Sequence, residues 1–143
     1  PYFSADQSLI TSGDNQIKID KLEDIGAFNI GFQNGTTGQY FLQFNLVEQG
    51  ILPWENLTAY DNNNQAISAL LNKQIALLIL DDSAAKAFCN VKPLKIVHLI
   101  KTDDQYGIAM RKGYELKDDI DTALRQLINS DYWTSLITKY LGN

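Results

Sequence analysis

The sequence NIGFQNGTTGQYFLQFNLVEQ, residues 29–49, contains a short apolar run, a polar turn and a longer apolar segment. The first four residues, Asn29 to Phe32, predict a buried strand, and Gly38 to Gln49 predict a helix. Thr36 and Thr37 therefore stand where a helix begins, beside unpaired backbone N–H groups at the positive end of the helix dipole. Because such a position favours negative charge, the stretch predicts an anion-binding site at the two threonines.

A second polar pair follows another buried strand. Residues Ile75 to Leu80 (IALLIL) form a continuous apolar run, typical of a parallel strand covered on both faces, and Asp81 and Asp82 come directly after it. If both strands are parallel members of one sheet, the two polar clusters lie on the rim where open α/β sheets bind ligands. One cluster offers hydroxyls and amides and the other a carboxylate, so together they fit a zwitterion such as a free amino acid.

The rest of the chain alternates strand and helix signals, which predicts an α/β fold with a mostly parallel sheet flanked by helices. Asp20 is expected to cap a short helix, and Asn62 to Asn64 offer caps for a longer one. From Leu116 onward two amphipathic helices are expected. Further strands are predicted at residues 7–11, 56–60, 94–99 and 106–110, and helices at residues 21–25 and 83–88.

Composition narrows the class of protein. With 143 residues and 45% hydrophobic content, the chain can form one domain with a core, or a small domain with an appendage. The net charge of -5 without a basic block disfavours nucleic acid and anionic lipid as partners. No apolar run approaches the roughly 18 residues that a membrane span needs. The sequence starts at Pro1 without a methionine, which suggests that an upstream piece, such as a removed signal peptide, has been cleaved off or is not included.

Neither a metal site nor a catalytic centre is expected from the sequence. The single cysteine, Cys89, excludes an internal disulfide and a thiolate metal site, and His98 has no second histidine to pair with. No P-loop, GxGxxG, serine elbow or HExxH pattern occurs, so we expect a binding protein without a cofactor and not an enzyme.

Four segments in a fixed order carry a resemblance to a known family. They are PYFSADQSLI (residues 1–10), KLEDIGAFNIGFQNGTTGQYFL (residues 21–42), AISALLNKQIALLILD (residues 66–81) and YGIAMRKGYELKDDIDTALRQLINSDYWTSLITKYLG (residues 106–142). Together they resemble the extracellular solute-binding proteins of polar amino-acid ABC transporters, family 3, which have the type 2 periplasmic-binding-protein fold. The resemblance covers nearly the whole chain.

The resemblance implies a two-lobed clamshell that traps its ligand between the lobes. Residues 5–104 then form the second lobe, whereas residues 1–4 and 105–143 form hinge segments and the C-terminal helical part of the first lobe. Most of the first lobe is absent from this sequence. Helices left exposed for that reason could pair with a second copy of the chain.

The resemblance also implies ligand-binding roles for five residues. Thr36 and Thr37 match positions that hold the α-carboxylate, and Asp81 matches the acidic residue that pairs with the α-ammonium. Gln33 matches a position near the ligand side chain, and Gly35 matches the glycine that lets the backbone turn beneath the carboxylate. The family's carboxylate-binding arginine lies in the first lobe and has no counterpart here, so the isolated chain is expected to bind weakly or not at all.

Simpler structural interpretations of the same residues are also consistent with the sequence. Gly35, Thr36 and Thr37 could form only a turn and a helix cap. Asp81 could cap the helix that starts near Ser83, and Asp82 competes with it for either role.

The expected function is that of an extracytoplasmic solute-binding component of an ABC transporter. It would bind a polar amino acid for uptake and deliver it to the membrane subunits. The resemblance implies a periplasmic or extracellular location, with lipoprotein anchoring as one option. Two alternatives on the same fold are the ligand-sensing domain of a membrane receptor or kinase, and a dehydratase.

Overall fold

The structure, a computed structural model, describes residues 1–141. Five strands form one sheet, and helices cover both of its faces. The strands are β1 (Phe3–Ser12), β2 (Ile30–Gln33), β3 (Leu57–Tyr60), β4 (Leu77–Asp81) and β5 (Leu94–Tyr106). The helices are α1 (Thr37–Phe41), α2 (Asn63–Leu71), α3 (Asp82–Val91), α4 (Lys117–Ile128) and α5 (Asp131–Leu141), with a π-helical continuation of α1 (Leu42–Val47) and 3-10 turns at Leu22–Ala27 and Trp54–Asn56.

The sheet is mixed, with the strand order β3-β2-β4-β1-β5. Strand β2 runs parallel to β3 and β4, whereas β1 runs antiparallel to β4 and β5. Four strands therefore point in one direction and β1 points in the other. The predicted α/β class is confirmed, and so is the parallel pairing of the two strands that precede the polar clusters.

The core has one layer on each face of the sheet, because side chains alternate along the central strands. Leu9 of β1 and Ile79 of β4 face the layer formed with the α1 segment and the first 3-10 turn. Ile10 of β1 and Leu78 of β4 face the layer under α2 and α3. Both central strands are thus covered on both sides, which explains the continuous apolar run before Asp81.

Two sequence predictions about element ends are wrong. No strand forms over residues 106–110, since β5 ends at Tyr106, opposite Phe3 at the start of β1, and no partner strand extends further among the described residues. Asp20 does not cap the first 3-10 turn. The Asp24 carboxylate accepts the backbone N–H groups of Asp20 and Lys21 instead, because it lies within the turn and can reach back to them.

Other predicted elements are confirmed with adjusted bounds. Asn62 caps α2, its side-chain oxygen accepting the backbone N–H of Gln65 at 3.0 Å. The helix predicted to Gln49 begins at Thr37 but changes to a π-helix at Leu42. Leu42 and Leu46 are fully buried on the core side of this segment.

The C-terminal segment packs less tightly than the sheet. Neither α4 nor α5 contains a fully buried residue in the described part of the chain. Trp133 of α5 lies edge-on against Tyr2, with ring centroids 6.2 Å apart, and so connects this segment to the start of β1. Within residues 1–141, no helix is both long and apolar enough to cross a membrane. Gly142 and Asn143, which the predicted first-lobe segment includes, lie outside the described residues.

Candidate functional site

The turn before α1 is built by Gly35 and Thr36. Gly35 has φ of 74°, a conformation that favours glycine, and its N–H donates to Gln39 Oε1 at 2.8 Å. The Thr36 hydroxyl donates to the Gln33 carbonyl at 2.8 Å and accepts the Gln39 backbone N–H at 3.4 Å. The capping role that the sequence left open for Thr36 is therefore present in the structure.

Thr37 occupies the first position of α1, and its hydroxyl has a different partner. Its Oγ1 accepts a hydrogen bond from Gln7 Nε2 at 2.9 Å. Gln7 lies on β1 and is 1% exposed, whereas Thr37 is exposed. The hydroxyl of Thr37 thus faces the rim of the sheet and is not used to cap the helix.

The carboxylate of Asp81 lies beside the same glutamine amide. Gln7 Nε2 donates to Asp81 Oδ1 at 2.6 Å, and the Tyr106 hydroxyl donates to Asp81 Oδ2. Asp81 directly precedes α3, yet its side chain makes no capping hydrogen bond. Its carboxylate is directed to the rim instead, which leaves the capping alternative for Asp81 unsupported.

Asp82 is directed away from this rim. Its Oδ1 accepts the Ser8 hydroxyl at 2.8 Å, and its Oδ2 pairs with Lys86 at 2.9 Å. Because adjacent β1 residues point to opposite faces, Gln7 holds Asp81 on one side and Ser8 holds Asp82 on the other. The two neighbouring aspartates are therefore not interchangeable.

The predicted site residues surround two adjoining hollows at this rim. A cleft of about 270 Å³ lies between Thr37 and Asp81, and a recess of about 140 Å³ lies between Gln33 and Asp81. Gly35 shapes the turn beside them. The cleft is lined by Thr36, Thr37, Asp81, Asp104, Gln105 and Tyr106.

Three further residues at this rim were not assigned to the site from the sequence. They are Gln7, Asp104 and Tyr106. Asp104 Oδ2 accepts from Gln7 Nε2 at 3.1 Å and from the Thr102 hydroxyl at 2.9 Å. The pairing of β1 with β5 brings Asp104 and Tyr106 to the cleft, and no local pattern shows that pairing. A signal existed for Gln7, which is a long polar residue next to an apolar strand segment.

The charge of the cleft favours a positively charged group. Two carboxylates, Asp81 and Asp104, line it, and no lysine or arginine appears among its described lining residues. Within the described residues, no three histidine, cysteine, aspartate or glutamate side chains are grouped as a metal site requires. The cleft can thus accept an ammonium at its carboxylates and an anion near the start of α1.

The histidine and the cysteine lie away from the cleft. His98 Nδ1 is 3.1 Å from the Ile19 carbonyl oxygen. Cys89 packs at the edge of the core layer under α3, and burial raises the pKa of its thiol. A raised pKa keeps the thiol protonated at neutral pH.

Solved structures provide the comparison for this chain, since no protein-family model matches it. An ancestral arginine-binding protein bound to arginine is 26% identical, with a TM-score of 0.81, over 98% of this chain and 62% of its own. The P235GK mutant of ArgBP from T. maritima is 26% identical, with a TM-score of 0.83, over 100% of this chain and 60% of its own. The chain has the type 2 periplasmic-binding-protein fold of amino-acid-binding proteins.

A third type 2 structure agrees with these two. It is ArtJ, an arginine-, lysine-, histidine-binding protein from Geobacillus stearothermophilus, with 28% identity and a TM-score of 0.74 over 100% of this chain and 61% of its own. The resemblance drawn from the sequence is therefore confirmed. The chain spans 60–62% of the length of these three structures.

Two less identical structures show the type 2 fold alone. One is AncCDT-1, an ancestral amino acid-binding protein and precursor of cyclohexadienyl dehydratase, at 23% identity. The other is the AvGluR1 ligand binding domain in complex with methionine, at 19% identity. The fold therefore occurs in binding proteins, in the ancestry of an enzyme and in a receptor domain.

Proposed function

We propose that this chain is the second lobe, with part of the first, of a solute-binding protein that binds a polar amino acid between its lobes. One observation carries the proposal: the Thr37 hydroxyl and the Asp81 carboxylate lie 2.9 and 2.6 Å from the same Gln7 nitrogen. A helix start suited to an anion and a carboxylate suited to an ammonium are thus adjacent. The two charged groups of an α-amino acid are separated by a single carbon atom, so one molecule spans both.

The proposed contacts follow from the chemistry of each group. The ligand carboxylate accepts hydrogen bonds from the Thr37 hydroxyl and from free backbone N–H groups at the start of the helical segment. The ligand ammonium donates to Asp81, where it shares the carboxylate with Tyr106. Gln33 and Gly35 stay as proposed contributors, one beside the recess and one in the turn.

The division into lobes is part of the same proposal. Residues 5–104 would form the second lobe, and residues 1–4 and 105–143 would form the hinge and the C-terminal part of the first. The three solved structures extend well beyond the matched part, and the apolar side chains of α4 and α5 are not fully buried, which supports this division. The remainder of a first lobe would then cover these helices, and in its absence a second copy of the chain could pair with them.

Uptake is the biological role that we propose for the whole protein. The whole protein would be made with a signal peptide and would lie in the periplasm or outside the cell, with or without a lipid anchor. There it would deliver its amino acid to the membrane subunits of an ABC transporter. The sensor and dehydratase alternatives have structural neighbours only at the level of the fold. Turnover of a prephenate-like substrate would favour the dehydratase alternative instead.

Calorimetry with the twenty amino acids tests the proposal on the protein at its full native length. We expect one or a few polar amino acids to bind, with arginine among the first to try because the solved neighbours include arginine-binding proteins. Asp81→Asn should weaken binding on the order of 30-fold or more, since it removes one charge of a desolvated pair.

Asp82→Asn is the matched control, because it makes the same chemical change one residue away at a carboxylate held by Ser8 and Lys86. Its affinity should stay within about three-fold of that of the unmodified protein. Absence of binding by all twenty amino acids, or equal affinities for Asp81→Asn and the unmodified protein, would refute the proposed function.

A further inference from the structure

Gln7 is the buried residue that connects the separate parts of the cleft. It lies on β1 directly opposite Asp81 of β4 in the strand register. Its Nε2 is within hydrogen-bond distance of three oxygen atoms from three different elements: Thr37 of α1, Asp81 of β4 and Asp104 of β5. A single amide thus sets the relative position of groups that are 30 to 97 residues away from it in the sequence.

The chemistry of the amide fixes which way it points. All three neighbours of the nitrogen are acceptors, and two of them are carboxylates, so the amide must present its N–H groups to them. Its oxygen, Oε1, is buried and has no hydrogen-bond partner among residues 1–141. The hydrogen bonds that orient the amide are thus all made by its nitrogen.

The helix that carries Thr37 is shaped around this amide. Gly38 is buried against β1 and β4, and a Cβ at this position would lie 3.1 Å from Gln7 Oε1 and 3.2 Å from Ile79 Cγ2. Both separations are tighter than ordinary van der Waals contact. The absence of a side chain at Gly38 therefore lets the start of α1 approach close enough for Thr37 to reach Gln7.

We propose that Gln7 is the positioning residue of the amino-acid site, orienting Asp81 and Thr37 so that the two ends of one ligand meet both. This inference rests on the proposed function. Gln7 acts through the groups it holds and does not itself need to touch the ligand. Two N–H groups shared among three acceptors leave an excess of acceptors at the cleft, which an ammonium with its three N–H groups complements.

The variant Gln7→Met tests the inference, since it keeps the length of the side chain and removes both donors. Ser8→Ala is the control, because it removes a buried hydrogen bond to a carboxylate from the adjacent residue of the same strand. Three-bond NMR couplings report the χ1 rotamers of Asp81 and Thr37 without any ligand. In the unmodified protein and in Ser8→Ala, each should show one rotamer, and in Gln7→Met each should show rotamer averaging. Single rotamers retained in Gln7→Met would overturn the inference.

Ligand selectivity provides a second readout that a purely structural role would not change. The probes are L-arginine and 5-guanidinopentanoic acid, which is arginine without its α-ammonium. If calorimetry shows that the protein binds a different amino acid, that amino acid and its desamino analogue are used instead. Gln7→Met should lose about ten-fold in affinity for the amino acid, because a charge-assisted hydrogen bond no longer orients Asp81. The desamino analogue should lose affinity by a smaller factor, because it keeps only the carboxylate contact that Thr37 provides. An equal loss for both probes would overturn the inference.

The outcomes separate this inference from the proposed function. If the unmodified protein binds none of the twenty amino acids, the proposed function fails, and the couplings still decide whether Gln7 orients the two side chains. If amino acids bind and Gln7→Met changes neither readout, the inference alone fails. Gln7→Asn, whose amide is one methylene too short to reach Thr37 and Asp81, takes the place of Gln7→Met if that variant does not fold.

Discussion

Thr36 and Thr37 are adjacent and chemically identical, yet their hydroxyls make different hydrogen bonds and have different roles. The Thr36 hydroxyl is bound within the turn, to the Gln33 carbonyl and the Gln39 N–H. The Thr37 hydroxyl contacts Gln7 across the sheet rim. The order of the residues decides this difference, since the first threonine is the N-cap and the second is already in the helix.

Exchanging each threonine for valine separates the two tasks. Thr36→Val should lower the free energy of unfolding by about 1 kcal/mol, because the helix loses its cap. Thr37→Val should leave stability within about 0.5 kcal/mol but weaken amino-acid binding about ten-fold. Urea unfolding and calorimetry on both variants measure the two effects. The assignment fails if Thr37→Val is the less stable variant, or if Thr36→Val is the weaker binder.

Sequence reasoning identified residues with local signals and missed those brought in by long-range pairing. Asp81 could be singled out because it ends a buried strand, and Thr37 because it starts a helix. Gln7 and Asp104 reach the same rim only through the antiparallel strands β1 and β5. Neighbouring residues in the sequence carry no information about that strand pairing, so these contacts were not predictable from local pattern.

The long ladder between β1 and β5 contains an irregularity at Asp6. The register shifts between Ala5 and Gln7, and Asp103 on the opposite strand has φ of 52°. The Asp6 carboxylate holds this bulge together by accepting from the Lys101 ammonium at 2.6 Å and from the backbone N–H groups of Thr102 and Asp103. These hydrogen bonds, above all that from Lys101, lower the pKa of Asp6 below 3.8.

The lowered pKa predicts a pH-dependent effect of Asp6→Asn. A carboxyl whose pKa is lower in the folded state stabilises the fold above its ordinary value of 3.8, and this contribution is lost as pH falls through the folded-state pKa. Asp6→Asn should therefore be less stable than the unmodified protein at pH 7, and the difference should shrink as pH falls below 3.8. Urea unfolding at pH 7 and at about pH 3 measures this difference on either side of the ordinary value of 3.8.

Asp20→Asn provides the control for this pH series, since Asp20 is an exposed aspartate outside the ladder. Its stability should follow that of the unmodified protein at both pH values. A constant difference between Asp6→Asn and the unmodified protein across the series would contradict the role given to the Asp6 carboxylate.

At the scale of elements, the apolar and capping patterns of the sequence predicted the strands and helices correctly more often than they predicted the residues at which these strands and helices end. The β2 and β4 strands and helix α2 follow from apolar runs and caps near their observed positions. The expected strand at 106–110 did not form, because its continuation depends on a partner and β1 begins only at Phe3. The direction of β1 was likewise undetermined, since a strand covered on both faces has the same pattern in either orientation.

The whole molecule combines a well-packed sheet with a loosely attached C-terminal segment. The largest fully buried side chains belong to the sheet, to the 3-10 turn at Leu22–Ala27, to the α1 segment and the loop after it, and to α2. In the described part of the chain, α4 and α5 contribute none. The free energy of folding that comes from burying apolar side chains should therefore be contributed by the residues up to the end of β5.

Deleting residues 107–143 tests this distribution of stability. The shortened chain should keep its circular dichroism signal for the sheet, and its unfolding midpoint in urea should stay close to that of the longer chain. Leu46→Ala in the longer chain gives the contrast, since it removes a fully buried side chain and should cost about 2–5 kcal/mol. Loss of cooperative unfolding on deletion would show that the C-terminal helices are needed by the sheet.

The central claim is that the start of α1 and the end of β4 form one site for one amino acid. NMR titration of the ¹⁵N-labelled full-length protein with the best-binding amino acid tests it most directly. The account predicts that the amide signals of Thr37, Gly38 and Asp81 move together along one saturation curve. Saturating amino acid that leaves these signals in place, or that moves only those around Asn15 and Lys73 in the separate hollow beside β1 and α2, would contradict it.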